Sequence, residues 1–120
     1  MNALVSIITP SYNSAKFIAE TIQSVQNQTY PNWEMIIVDD GSSDETECVV
    51  LSIIQNDNRI QFHKLNQNSG PAVARNTGIE KASGDYMTFI DADDIWFPTF
   101  IENNIKTIQE TGVQFVFSSY

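Results

Sequence analysis

The chain is poor in positive charge and almost free of thiols. Six Lys and Arg stand against fifteen Asp and Glu, for a formal charge of −9. Nucleic acid is bound through an excess of basic side chains, so that class of partner is excluded. Cys48 is the one cysteine, which rules out both a disulfide framework and a thiolate metal cluster. No apolar run approaches the roughly 18 residues of a membrane span, and the N-terminus lacks a basic-then-apolar signal pattern. The expectation is a cytoplasmic chain, or one peripheral at the inner face of a membrane. Internal repeats, low-complexity tracts and composition shifts are also missing, so residues 1–120 read as one unit. The apolar share of 42% is that of a packed protein.

What is present is alternation. Leu4 to Ile8 is an apolar run stopped by Thr9 and Pro10. Ile18, Ile22 and Val25 then fall on one helical face within 16–28. Met35 to Val38 is a second run, ended by Asp39-Asp40-Gly41. Ser42 and Glu45 have capping-box spacing ahead of a stripe of Val49, Val50, Ile53 and Ile54. Ile60 to His63 alternates apolar with polar, as a half-exposed strand does. Pro71 opens a helix running to Ala82, and Gly84 stops it. Tyr86 to Ile90 is a fourth strand, and Pro98 opens a helix with Ile101, Ile105 and Ile108 on one face. Val113 to Phe117 begins a fifth strand, inside which the sequence stops at Tyr120.

Strands alternating with helices of this length form right-handed βαβ units. The expected fold is α/β: a Rossmann-like, mostly parallel sheet in the order 3-2-1-4 plus a fifth strand, flanked by helices. Strands 1, 2 and 4 read as buried on both faces and strand 3 as an edge. Ligands of such sheets bind beyond the C-terminal strand ends where the order switches, between strands 1 and 4. Polar clusters fall at those ends.

Asp91-Ala92-Asp93-Asp94 follows the fourth strand. Carboxylates one residue apart at a strand end can face one cleft, and hard oxygen ligands suit Mg²⁺ or Mn²⁺. Such an ion would let an acidic protein hold a diphosphate. The plainer reading is an acidic loop ahead of the next helix. Asp40 can accept hydrogen bonds from a base or ribose, whereas Ser42, Ser43 and Asp44 fit an Asx-type turn and an N-cap. Tyr12 can stack on a nucleobase or cover the core edge. Gly70, Pro71 and Arg75 offer close backbone approach, free N–H groups and a fixed positive fork for phosphate or ribose; a Pro-started helix with a surface Arg fits equally well. Gly78 reads as tight helix–sheet packing. His63 reads as exposed on the edge strand, Cys48 has no histidine partner, Trp33 reads as packing, and Trp96 as a cleft wall.

Val5 to Asn13, Ile37 to Asp44, Gly70 to Asn76 and Asp91 to Asp94, in that order, resemble family 2 glycosyltransferases of the GT-A fold, over almost the whole chain. The resemblance implies inverting transfer of a sugar from a UDP- or GDP-linked donor, with Mn²⁺ or Mg²⁺. By position it implies that Tyr12 stacks on the base, with Thr9 and Pro10 shaping that wall, and that Asp40 hydrogen-bonds the base. Arg75 would lie near ribose or phosphates, Asp91 would face the ribose, and Asp93, with Asp91, would meet the metal. Members of that family carry the acceptor site and the catalytic carboxylate in a later half. No residue here matches that base, which is expected beyond Tyr120. Residues 1–120 are thus expected to be the nucleotide-sugar-binding half. The acceptor would be a saccharide, a lipid-linked saccharide or a protein, and an uncovered fifth strand could support a homo-oligomer.

Three other classes are open on the residues. A non-catalytic nucleotide-binding module would use the same cluster. A receiver-type signalling domain would need an acidic pair after strand 1, where Thr9-Pro10 stands. A dinucleotide oxidoreductase would need a glycine fingerprint there, and none exists.

Overall fold

The computed structural model describes residues 3–111. Four strands, β1 (Val5–Ser11), β2 (Trp33–Asp39), β3 (Ile60–Lys64) and β4 (Tyr86–Phe89), alternate with α1 (Ile18–Gln26), α2 (Thr46–Ile54), α3 (Pro71–Lys81) and α4 (Phe100–Thr111). The sheet order is β3-β2-β1-β4 and every pairing is parallel. This is the order expected from the alternation. The expected fifth strand, from Val113 to Phe117, lies outside the described residues, as does Tyr120, beyond which the catalytic base is expected.

The period-2 alternation of β1 and β2 sends successive side chains to opposite helix layers. Val5, Ile7, Met35 and Ile37 pack with Ile18, Ile22 and Val25 of α1, Val50 of α2, and Phe100, Ile101 and Ile105 of α4 in the main core. Ile36 and Val38 pack with Ala74 of α3 on the other face. Gly78 is required there, because a Cβ would stand 2.6 Å from Cγ2 of Ile8; even one methyl would force α3 off the sheet. The apolar stripes read from α1 and α4 are the buried ones.

Three local expectations are corrected. β4 is only partly buried, apart from Thr88, because it borders β1 on one side and forms the other edge of the described sheet. The capping box at Ser42 and Glu45 does not form: α2 begins at Thr46 with no side-chain cap at Glu45. The Ser42 hydroxyl is instead drawn into the loop network described below, and Asp44 accepts the Thr46 N–H at 3.0 Å. Pro98 sits in the turn before α4 rather than in its first turn. No helix among the described residues is long and apolar enough to cross a membrane.

Candidate functional site

A cleft of about 460 Å³ opens at the C-terminal end of the sheet, over β1 and β4. This size falls in the range of small-molecule sites, and the position is the switch point of the strand order. Pro10, Tyr12, Asp40, Arg75, Asp91 and Asp93 all line it. Six of the seven singled-out residues, drawn from four separate segments, therefore meet in one place. Thr9 is the exception: it is fully buried and does not line the cleft.

Each side chain is placed by the loop after its strand. Tyr12 leaves β1 half exposed, next to Asn13 in the left-handed region at φ 48°. Asp39 ends β2, Asp40 follows it, and the two turn to different tasks. The buried Asp39 carboxylate accepts the Ser42 N–H at 2.8 Å and the Ser42 hydroxyl at 2.6 Å. That is the turn expected of this segment. Asp40 instead accepts the Ser69 N–H at 2.7 Å on Oδ1 and the Gly70 N–H at 2.9 Å on Oδ2. It thereby shapes the loop leading into α3. Each carboxylate oxygen keeps a second acceptor site for a ligand. Gly70, at φ 98°, takes a backbone conformation that a side chain disfavours, and α3 starts immediately after it at Pro71.

Arg59, Lys64 and Lys106 are each paired with a carboxylate. Arg75, like Lys16 and Lys81, has no ion pair among the described residues, and of these three it is the one that lines the cleft. Asp91 and Asp93 line the cleft, and carboxylate oxygens of Asp91, Asp93 and the neighbouring Asp94 lie within 4.8 Å of one another. Burial, then the charges of Asp91 and Asp93, raise the Asp94 pKa above the usual carboxylate value. Three crowded carboxylates without a bonded cation repel one another, and a hard divalent ion is the natural partner of such an oxygen set. The donor set therefore fits Mg²⁺ or Mn²⁺.

The remaining candidates fall elsewhere. His63 is half-buried on β3, with Nε2 3.0 Å from Oε1 of Gln61; burial and then the Lys81 charge lower its pKa. Cys48 is exposed on α2. Trp33 is core, with the Arg59 guanidinium 3.8 Å above its ring. Trp96 is also core, stacked on Phe100 at 4.3 Å, so it is packing and not a cleft wall. Sequence reasoning passed over Phe17, Asn68 and Ser11, which also line the cleft. Phe17 had a signal: it is an aromatic just outside the α1 stripe, and it is half exposed. Ser11, which is buried, had its place between Pro10 and Tyr12 in the polar run after strand 1.

The comparisons with known proteins agree with this geometry. The family model for glycosyl transferase family 2 matches residues 6–120. The putative teichuronic acid biosynthesis glycosyltransferase TuaG of Bacillus subtilis is 44% identical over 117 residues, which cover 98% of this chain and 46% of that protein. The Escherichia coli UDP-Glc:alpha-D-GlcNAc-diphosphoundecaprenol beta-1,3-glucosyltransferase WfgD is 42% identical over 117 residues, with the same two coverages of 98% and 46%. The chain thus spans a little under half the length of these relatives. Among solved structures, S. aureus TarS 1-349 in complex with UDP-GlcNAc superposes with a TM-score of 0.84 at 32% identity, covering 90% of this chain and 32% of that one. The Pyrobaculum calidifontis mannosyltransferase PcManGT, in complex with GDP-Man and Mn²⁺, gives a TM-score of 0.84 at 28% identity, covering 91% and 33%. Four motifs converging on one switch-point cleft, and a family match over nearly the whole chain, lead to one conclusion: the chain belongs to glycosyl transferase family 2, with the GT-A fold.

Proposed function

We propose that the cleft binds the nucleoside diphosphate of a UDP- or GDP-linked sugar, and that residues 1–120 are the donor-binding half of an inverting, metal-assisted glycosyltransferase. The observation that carries this reading is that an acidic pair, Asp91 and Asp93, an Arg75 without a carboxylate partner among the described residues and an exposed Tyr12 line one cleft. Aromatic stacking, a cation and a divalent-metal wall are the three recognition elements that a nucleoside diphosphate needs.

In this reading Tyr12 stacks on the base, Pro10 forms the wall beside it, and Thr9 supports that wall from beneath. Asp40 accepts from the base while holding Ser69 and Gly70. Arg75 faces ribose or phosphate, and Asp91 faces the ribose. Asp93, together with Asp91, would hold Mn²⁺ or Mg²⁺, which when bound neutralises charge on the diphosphate leaving group. The acceptor, a saccharide, lipid-linked saccharide or protein, and the base that activates its hydroxyl are assigned to no residue up to Tyr120.

Amide chemical-shift mapping tests the location. With Mg²⁺ present, UDP or GDP is expected to shift the amides of Tyr12, Asp40, Arg75 and Ala92 and to leave those of Ser83 and Asp85, at the opposite sheet end, unmoved. Shifts that cluster away from the cleft would sink the assignment.

A further inference from the structure

The loops after β1 and β2 are joined far more tightly than two neighbouring loops need to be. Asn13 is the centre of that join. Its backbone N–H donates to Oγ of Ser42 at 2.7 Å, and its carboxamide Oδ1 accepts the N–H groups of Ser43 at 2.9 Å and Asp44 at 3.3 Å. The Ser42 hydroxyl in turn donates to Oδ1 of the buried Asp39 at 2.6 Å. On either side, Ser14 N–H donates to Oγ1 of Thr46 at 2.9 Å and Ala15 N–H to Oδ2 of Asp44 at 3.2 Å. To make these bonds Asn13 adopts φ 48°, and among the described residues it is the only one other than glycine with positive φ. Asparagine tolerates that region better than most side chains, at a cost. That cost is borne immediately beside Tyr12, on the rim of the cleft.

We propose that Asn13 is a positioning residue of the nucleotide cleft, fixing the Tyr12 ring before any ligand arrives by locking its turn to the loop after β2. The inference rests on the donor-site reading for what Tyr12 does, and on the hydrogen bonds above for how it is held. An aromatic shelf formed in advance spares the ordering cost that a mobile ring would impose on binding. Asn13 itself need not touch the ligand.

The test has two arms on this chain. In the free protein, Asn13→Gly keeps access to positive φ but removes the carboxamide, so amide hydrogen exchange at Ser43 and Asp44 should accelerate about tenfold. Asn13→Asp, which restores an acceptor, should return it to near the original rate. Unchanged exchange in Asn13→Gly would overturn the lock. In the second arm, the dissociation constant for UDP or GDP with Mn²⁺ is measured in a double-mutant cycle with Tyr12→Ala. Asn13→Gly should weaken binding roughly tenfold when Tyr12 is present and less than about twofold in the Tyr12→Ala background. An equal loss in both backgrounds would show that Asn13 does not act through Tyr12. If Asn13→Gly fails to fold, Ser42→Ala removes the acceptor of the Asn13 N–H, so exchange at the Asn13 amide should accelerate and nucleotide binding should weaken only when Tyr12 is present; unchanged exchange or an equal loss in both backgrounds would overturn the proposal. Failure of the original chain to bind either nucleotide would overturn the donor reading, and the positioning role with it. The exchange arm would still report separately whether the lock exists.

Discussion

The two ends of the sheet use the same kinds of side chain and treat them in opposite ways. At the N-terminal end, Glu34 accepts from Oγ of Ser6 at 2.5 Å, from Ser83 N–H at 2.7 Å and from Oγ of Ser83 at 3.0 Å. Ser6 Oγ in turn accepts the Gly84 N–H at 2.8 Å, and the Asp85 carboxylate accepts the Leu4 N–H at 2.9 Å. Burial alone would raise the Glu34 pKa, but the bonds from Ser6 and Ser83 outweigh it and hold the carboxyl below its usual value. At the C-terminal end, three carboxylates crowd together and Asp94 is pushed upward. One end is tied by its own hydrogen bonds, and the other carries a cluster of like charges. In the donor-site reading proposed above, stability belongs to the first and binding to the second, the separation expected of a rigid scaffold with its functional groups on loops.

Substitutions should pull these properties apart. The largest effect is expected for Asp93→Ala, which should weaken Mn²⁺-dependent nucleotide binding by about a hundredfold or more, read by calorimetry. Its stability should stay within about 0.5 kcal/mol of the original, because a like charge has been removed. Glu34→Ala should do the reverse. Losing the acceptor of the Ser6 and Ser83 bonds should cost about 1–3 kcal/mol, seen as a lowered thermal midpoint, while nucleotide affinity is unchanged. A Glu34 variant that bound nucleotide poorly, or an Asp93 variant that melted early, would break the contrast.

Tyr12→Ala should reduce affinity roughly tenfold, as expected for one lost base–aromatic stack, measured in the same titration. Its thermal midpoint should not fall, since half of that side chain is already in solvent.

The architecture was legible because hydrophobic period and strand–helix alternation are local, and four parallel strands with right-handed crossovers leave little choice of order. The site was legible for the same reason: a switch point gathers the strand ends, so Tyr12, Asp40, Arg75, Asp91 and Asp93 could be expected to meet. What the sequence hid depends on partners distant along the chain. Ser42 and Glu45 have the spacing of a capping box, but Asn13 and Asp39 compete for the Ser42 hydroxyl and win it. Asp40 looks like a ligand contact alone, and its bonds to Ser69 and Gly70 follow only from how the β3–α3 loop returns across the sheet. Trp96 reads as a cleft residue from its neighbours, yet its stacking on Phe100 buries it.

The smallest expected effect is on pH dependence. Glu34 and Asp57 both titrate below their usual values when folded, Asp57 chiefly through its hydrogen bonds from Arg59. The stability they contribute is complete above their unfolded pKa values of about 4 and is lost as pH falls through the folded ones. Asp94 has the opposite sign: its contribution is greatest at low pH and is lost as pH rises through its raised value. The thermal midpoint should therefore drop on acidification, and the drop should be shallower in Glu34→Gln. An equally steep acid limb in that variant would remove Glu34 from the account.

The central claim is that the C-terminal end of the sheet is a metal-dependent nucleoside diphosphate site. Calorimetric titration of UDP and then GDP, each with and without Mn²⁺, into the folded chain tests it most directly. The account predicts saturable binding of one nucleotide that requires Mn²⁺. Equal binding without the ion, or no binding of either nucleotide by a chain shown to be folded, would contradict it.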